Sequence, residues 1–189
     1  MDPTPRQKKH VALWIVLGSI LGLCVIVAII AIPAAFKISH TRAFRLSSDS
    51  MQPTLYSGDV ITADTGYYSE HPVSDGDIIV FRHGDVVLAK RVSAIGGETI
   101  EGKDGKLIRN GVLLTEPYVK NTNEPVDQSE VAFSSRTIPA GQIFVTGDWR
   151  SRSLDSRYPD FAPVHTSDVI GKVVYIYGSS QPGQIGRKF

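Results

Sequence analysis

Three features of the sequence predict a mainly β domain of antiparallel sheets, barrel-like or sandwich-like, carried on one N-terminal transmembrane helix. Val11 to Phe36 is a run of 26 residues without a charged side chain, and 22 of them are apolar or aromatic. Beyond it, short β-branched runs alternate with Gly-Asp, Asp-Gly and Asn-Gly pairs. No stretch past the run keeps a 3.6-residue apolar period, so helices there are expected to be few and short.

The first element is the apolar run. As a helix, Val11 to Ile32 would be about 33 Å long at ~1.5 Å per residue, against a hydrocarbon core of ~30 Å. Trp14 falls where an indole favours the membrane interface, and Pro33 stands where a helix would end. A cleaved secretory signal is the competing reading, with Arg6, Lys8 and Lys9 as its basic head and small residues from Ala31 to Ala35. The apolar core of such a signal is usually ~7 to 15 residues, which favours an uncleaved anchor. Charge divides at the same place: Met1 to Arg42 carries five Lys/Arg against one Asp, and Ala43 to Phe189 carries fifteen against eighteen acidic residues. A mildly acidic domain disfavours nucleic acid as a partner. No second run spans, which excludes a multi-pass protein. The lone Cys24 sits inside the run, so the domain forms no internal disulfide and has no thiol chemistry. The expected organisation is a short N-terminal tail (1–10), an anchor (11–36), a tether (37–43), a β-rich domain (44–178) and a tail (179–189).

Within the domain, Val60-Ile61-Thr62, Ile78 to Phe81, Val86-Val87-Leu88, Ile143-Phe144-Val145 and Val173 to Tyr177 read as strands. Gly58-Asp59, Gly76-Asp77 and Gly84-Asp85 precede three of them. Asp104-Gly105 and Asn110-Gly111 read as two-residue hairpin turns, whose central residues need positive φ. Lys120 to Ser135 is polar and reads as an exposed loop, and the Gly/Ser-rich end from Gly178 as a frayed tail.

No G-x-S-x-G elbow and no H-E-x-x-H pair occurs, and His71, His83 and His165 are scattered in expected loops. Three other stretches carry chemistry. Leu46 to Asp59, LSSDSMQPTLYSGD, places Ser48 and Ser50 around Asp49 before a Pro-Thr turn; such a cluster can simply hydrogen-bond its own backbone. Val86 to Val92 places Lys90 in an apolar strand, on one face with Val86, Leu88 and Val92, while Arg91 points the other way with Val87 and Ala89. That face is the more apolar one, so Lys90 is expected to be buried. A buried lysine with its pKa brought down to about 8 could take a proton from a serine, replacing His in a triad. Alternatively the stem packs and the ammonium snorkels to water. Phe144 to Arg157, FVTGDWRSRSLDSR, gathers Asp148, Arg150, Arg152, Asp155 and Arg157, which read either as an ion-pair network bracing a loop or as surface salt bridges worth little.

Taken together and in this order, the anchor, S-x-S-M-x-P-T-L, G-D-I-I-V-F, K-R-V and G-D-x-R-x-x-S-x-D-S-R resemble type I signal peptidase, the membrane-anchored Ser-Lys protease that removes signal peptides from exported proteins. The resemblance covers nearly the whole chain and is closer to the single-span Gram-positive form. It implies Ser50 as nucleophile, Lys90 as neutral general base, and the Ser50 amide with the Ser48 hydroxyl as oxyanion hole. It implies that Ser153 orients the lysine, that Arg91, Asp148, Asp155 and Arg157 are structural salt-bridge residues, and that Met51 and Pro53 shape the turn presenting Ser50. It also implies no metal or organic cofactor, small substrate residues at −1 and −3 of the cut, and a cut close to the membrane. The implied partners are signal peptides of secreted pre-proteins, membrane lipid and, indirectly, the protein translocation machinery. The N-terminus would then be cytoplasmic and the domain on the exported side of the cell membrane. Trp149 and Arg152 stand where the family usually has Asn, and Ser93 to Glu98 departs from its usual Ile-Gly-x-Pro-Gly-Asp. The rival readings are a self-cleaving Ser-Lys protease of the repressor type, against which the anchor argues, and an inert signal-peptidase-like assembly module, which would be expected to lose Ser50 or Lys90.

Overall fold

The computed structural model describes residues 17–29, 40–120 and 132–189. Residues 17–29 form helix α1, along which apolar side chains such as Leu21 (66% exposed) and Ile29 (66%) have little protein cover. Among the described residues no helix is long and apolar enough to cross a membrane. The readings placed on residues 1–16 and 30–39, including Trp14 and Pro33, lie outside the described residues.

Residues 41–189 form a unit of their own, made of two antiparallel sheets. The larger sheet has seven strands: β1 (Thr41–Arg45), β2 (Val60–Asp64), β3 (Ile78–His83), β4 (Val86–Ile95), β9 (Gln142–Thr146), β10 (Val164–His165) and β11 (Val169–Gly178). Their order is β1-β2-β11-β3-β4-β9-β10. The smaller sheet, β7-β6-β5-β8, is built from β5 (Thr99–Lys103), β6 (Lys106–Arg109), β7 (Val112–Leu113) and β8 (Phe133–Thr137). Helix α2 (Tyr67–Glu70) is a single turn. Every strand read from β-branched runs lies in one of these elements. Asp104-Gly105 and Asn110-Gly111 close their hairpins with φ of 50° and 74°, and of 52° and 77°. Gly84, at φ 58°, opens the two-residue loop that joins β3 to β4.

Three apolar clusters hold the unit. Met51, Leu55, Ile61, Val80 and Ile176 fill one, and Ile79, Phe81, Val92, Val145 and Phe161 the second. In the third, Ala94 and Phe144 of the large sheet pack against Ile100 and Leu107 of the small one. Since alternate residues of β3 and β4 feed two different clusters, these strands are covered on both faces.

Four expectations change. The strand β1 begins at Thr41, so residues 41–43, expected in the tether, pair with β2. Residues 133–135, expected in a loop, belong to β8, where Thr99, Ile100 and Gly102 of β5 supply the pairing. His83 ends β3 and His165 lies in β10 rather than in loops. Residues 179–189 are not frayed. Ile176 N donates to Arg187 O (3.0 Å), Gly186 N to Ile176 O (2.8 Å) and Phe189 N to Val174 O (3.1 Å), while Phe189 packs on the first cluster. The chain end thereby covers backbone groups of β11 past the point where β3 leaves it.

Candidate active site

Ser50 sits in the connection between β1 and β2. Leu46 N donates to Asp59 O and Gly58 N to Leu46 O, both at 2.8 Å, which pins the ends of the loop together. Met51 (2% exposed) and Leu55 are sunk into the core, and Met51 O accepts from the amides of Thr54 and Leu55. Pro53 is exposed and follows a cis peptide bond. The buried methionine thus turns the loop inward one residue after the serine, leaving Ser50 itself 7% exposed.

Lys90 approaches from β4. It pairs with Ile79 and shares a face with Leu88 and Val92, as alternation predicts. Val86 and Val87 do not follow that pattern: both are exposed, at 53% and 43%. Arg91, on the opposite face, is also buried, because β4 is covered on both sides from Ala89 to Ala94. Lys90 is 3% exposed, so its ammonium does not snorkel. Its Nζ lies 2.7 Å from Ser50 Oγ and 3.0 Å from Ser153 Oγ. Burial pushes the amine down to about 8, with Asp155 raising it, Arg157 lowering it and Asp148 raising it by smaller amounts.

Ser153 settles the direction of these bonds. Its hydroxyl donates to Asp155 Oδ2 (2.6 Å), which leaves its oxygen to accept an N–H of Lys90. A neutral amine carries one lone pair and two hydrogens. With one hydrogen given to Ser153, the lone pair can face the Ser50 hydroxyl. Ser48 Oγ donates to Ser50 Oγ (3.0 Å) and accepts from Ser50 N (3.3 Å), so a hydroxyl and an amide stand side by side next to Ser50 Oγ.

The carboxylates brace the loop that follows β9. Asp155 accepts from Gly147 N (2.9 Å) and Arg157 Nε (2.8 Å), and Arg157 Nη2 donates to Arg150 O (2.7 Å) and Ser153 O (3.1 Å). Asp148, wholly buried, takes both Arg91 Nε (2.9 Å) and Arg91 Nη2 (2.7 Å) and the Thr54 hydroxyl. Of the two readings of these charges, burial favours the network over surface salt bridging. Arg152 differs: its side chain is exposed and lies over the Trp149 ring at 4.8 Å.

Sequence reasoning passed over several neighbours. Thr54 ties the serine turn to Asp148. Gly147 leaves no room for a Cβ, which would run into Ser153 Oγ and the Ser50 carbonyl oxygen. Its signal was the Gly-Asp pair itself, which elsewhere in the sequence reads only as preceding strands. Glu116 pairs with Arg150 (2.6 Å), Tyr118 lies under Arg91 (3.9 Å) and Lys120 under no strand pattern at all reaches Gln52 (2.7 Å). These three carry no local motif, so only the folded chain brings them here. A small hollow of about 50 Å³ opens beside Ser50 and is lined by Leu46, Ser48, Met51, Val87, Leu88 and Ala89.

The family model described as "Signal peptidase, peptidase S26" matches residues 16–178. A probable signal peptidase I-1 of Synechocystis is 30% identical over 184 residues, covering 92% of this chain and 89% of its own. Signal peptidase I U of Bacillus subtilis is 29% identical over 93% of this chain and 94% of its own. A crystal structure of a signal peptidase I from Enterococcus faecalis aligns with a TM-score of 0.45 at 34% identity, over 54% of this chain and 97% of that one. With the family model matching most of its length, the chain belongs to the signal peptidase family, peptidase S26.

Proposed function

We propose that this chain is a membrane-anchored serine endopeptidase that cleaves N-terminal signal peptides from exported pre-proteins with a Ser50–Lys90 dyad. The observation that carries the reading is the buried amine 2.7 Å from a serine oxygen, with its ordinary protonation suppressed to about 8. In the reaction Ser50 Oγ attacks the scissile carbonyl carbon while its proton passes to Lys90 Nζ. Negative charge builds on the carbonyl oxygen, where the Ser50 amide and the Ser48 hydroxyl, swung away from Ser50 Oγ, donate to it. The Lys90 ammonium then protonates the leaving amine; the lysine so restored takes a proton from the water that attacks the acyl carbon, and returns it to Ser50 Oγ as the acyl–oxygen bond breaks. Ser153 holds the amine in line throughout, and Asp148, Asp155, Arg91 and Arg157 hold the loops, with Met51 and Pro53 shaping the serine turn.

The small hollow beside Ser50, lined on its apolar side by Leu46, Met51, Val87, Leu88 and Ala89, supports a preference for small side chains next to the cut. The proposed setting is a single-pass anchor over 11–36, with 1–10 cytoplasmic and the catalytic domain on the exported side, where a translocated pre-protein presents its cleavage site. The exposed apolar side chains of α1 support lipid as their surroundings. The test is cleavage of a pre-protein by the full chain: Ser50→Ala and Lys90→Ala should each abolish it while the fold melts cooperatively. Retained cleavage by Lys90→Ala at neutral pH would refute the base. Protease protection of residues 44–178 in intact cells would refute the exported side.

A further inference from the structure

The segment from Leu114 to Lys120 leaves the small sheet and crosses to the site, where three side chains fasten it. Glu116 pairs with Arg150, whose Nε donates to Gly147 O (3.0 Å), and the Tyr118 ring lies under the Arg91 guanidinium. Lys120 makes the third attachment, and it is the one that reaches the nucleophile turn. Its backbone N donates to Asp148 O (2.8 Å) and its Nζ to Gln52 Oε1 (2.7 Å), while the same ammonium sits 3.2 Å from the centroid of the Trp149 ring. Gln52 Nε2 in turn donates to Asp49 Oδ1 (2.6 Å), and Trp149 N donates to Ser50 O (2.9 Å). One cation therefore grips both flanks of Ser50: the Asp49–Gln52 side through an amide, and the Ser50 carbonyl through the residue whose ring it covers.

Resting on Ser50 as the nucleophile, we propose that Lys120 is a positioning residue of the reaction, an ammonium clamp that uses Trp149 as its platform and Gln52 as its grip to fix the Ser50 turn against the Asp148 loop. The position taken by Trp149 is where the Asn of the family pattern would stand, and an asparagine offers no aromatic face to a cation. The indole serves by that face, since its Nε1 has no hydrogen-bond partner among the described residues. Lys120 is not among the charges that shift Lys90, which are Asp155, Arg157 and Asp148. Its removal should therefore loosen the aim of Ser50 without altering the protonation of the base.

The experiment compares full-length wild type, Lys120→Met, Lys120→Arg, Trp149→Phe, Trp149→Leu and the Lys120→Met/Trp149→Leu double variant on one pre-protein, with Ser50→Ala and Lys90→Ala alongside. Lys120→Met is expected to lose about tenfold in kcat, as for a charge-assisted hydrogen bond, with KM changed less than about twofold. Acylation of Ser50 by a serine-directed reagent should slow in parallel, and the pH midpoint of activity should stay in place. Lys120→Arg and Trp149→Phe, which keep a cation and a ring, should restore most of the rate. The double variant should lose no more than the worse single one, because both remove the same clamp. An unchanged kcat for Lys120→Met, losses that multiply in the double variant, or a moved pH midpoint would overturn the clamp. If those results come while Ser50→Ala and Lys90→Ala are dead, the dyad stands and only the clamp falls. If Ser50→Ala still cleaves, both fall.

Discussion

Lys90 works against its own surroundings, and that conflict can be measured. Its amine is brought from 10.5 to about 8 by burial, which at ~1.4 kcal/mol per unit corresponds to about 3 kcal/mol. The folded pKa lies below the unfolded one, so between pH 8 and 10.5 the unfolded chain holds more protons and stability rises with pH. Below pH 8 the folded state bears the whole penalty. Relative to Lys90→Met, wild type should therefore gain about 3 kcal/mol of stability across that window, read from denaturant midpoints at several pH values. An unvarying difference between the two proteins would mean the lysine is not buried as a neutral amine. Gly147 makes the second residue-scale prediction. Since a Cβ there meets Ser153 and the Ser50 carbonyl, Gly147→Ala should cut kcat at least about a hundredfold, as misplacement by an ångström does, with Asp155 and Arg157 untouched. The kcat of the purified variant on a pre-protein checks it. At the same scale the dyad was half legible in sequence: Lys90 stood out as a charge in an apolar strand, but whether it snorkelled depended on what covered it. Alternation could not say that, because it assumes one wet face and β4 has none between Ala89 and Ala94.

Among the elements, the end of the chain behaves least as its composition suggests. Residues 179–189 are rich in Gly, Ser and Gln, yet they pair with β11 and return Phe189 to the core. Ser179 also donates to Asp59, and Arg187 reaches Thr54 O (3.5 Å), so this end supports the same turn that carries Ser50. Truncation after Gly178 should lower stability by about 2 kcal/mol, close to the value of burying one large apolar side chain. It should also speed amide exchange in β11, seen by hydrogen-exchange mass spectrometry; unchanged exchange at Ile176, whose amide donates to Arg187 O, would contradict the pairing. Local turn chemistry was readable for the hairpins at Asp104-Gly105 and Asn110-Gly111, where positive φ is a property of two adjacent residues. Strand β8 was not readable, since Phe133 to Thr137 is mostly polar and, past Phe133, exposed along its length, and it becomes a strand because β5 offers it an edge.

For the molecule as a whole, the pH dependence of activity follows from the amine. A base that must be neutral is present in full above its pKa and is lost as pH falls through it. Turnover should therefore decline below about pH 8, roughly tenfold per unit, while the near-ultraviolet circular dichroism of the fold stays constant. A rate independent of pH down to 5 would remove Lys90 from the mechanism. If the small hollow beside Ser50 receives the residue before the cut, as proposed, replacing that residue by Leu should slow cleavage by the full chain, detected as uncut pre-protein on a gel.

What the sequence determined by itself was whatever lies within a few neighbouring residues: a 26-residue run without a charge, strand and turn periods, and three motifs whose order marks the family. Those are local or linear properties, and they need no folded partner to be read. The tertiary structure decided what depends on contact across the chain. It put a lysine from β4 against a serine from the β1–β2 loop, gave the Ser153 hydroxyl to Asp155 so that the amine faces Ser50, and brought Glu116 to Arg150, Tyr118 to Arg91 and Lys120 to Gln52. Desolvation is the physical reason for the difference. A side chain's pKa and its hydrogen-bond partners are set by the groups that exclude water from it, and around Lys90 those groups are assembled only when β4, the β1–β2 loop and the loop after β9 come together.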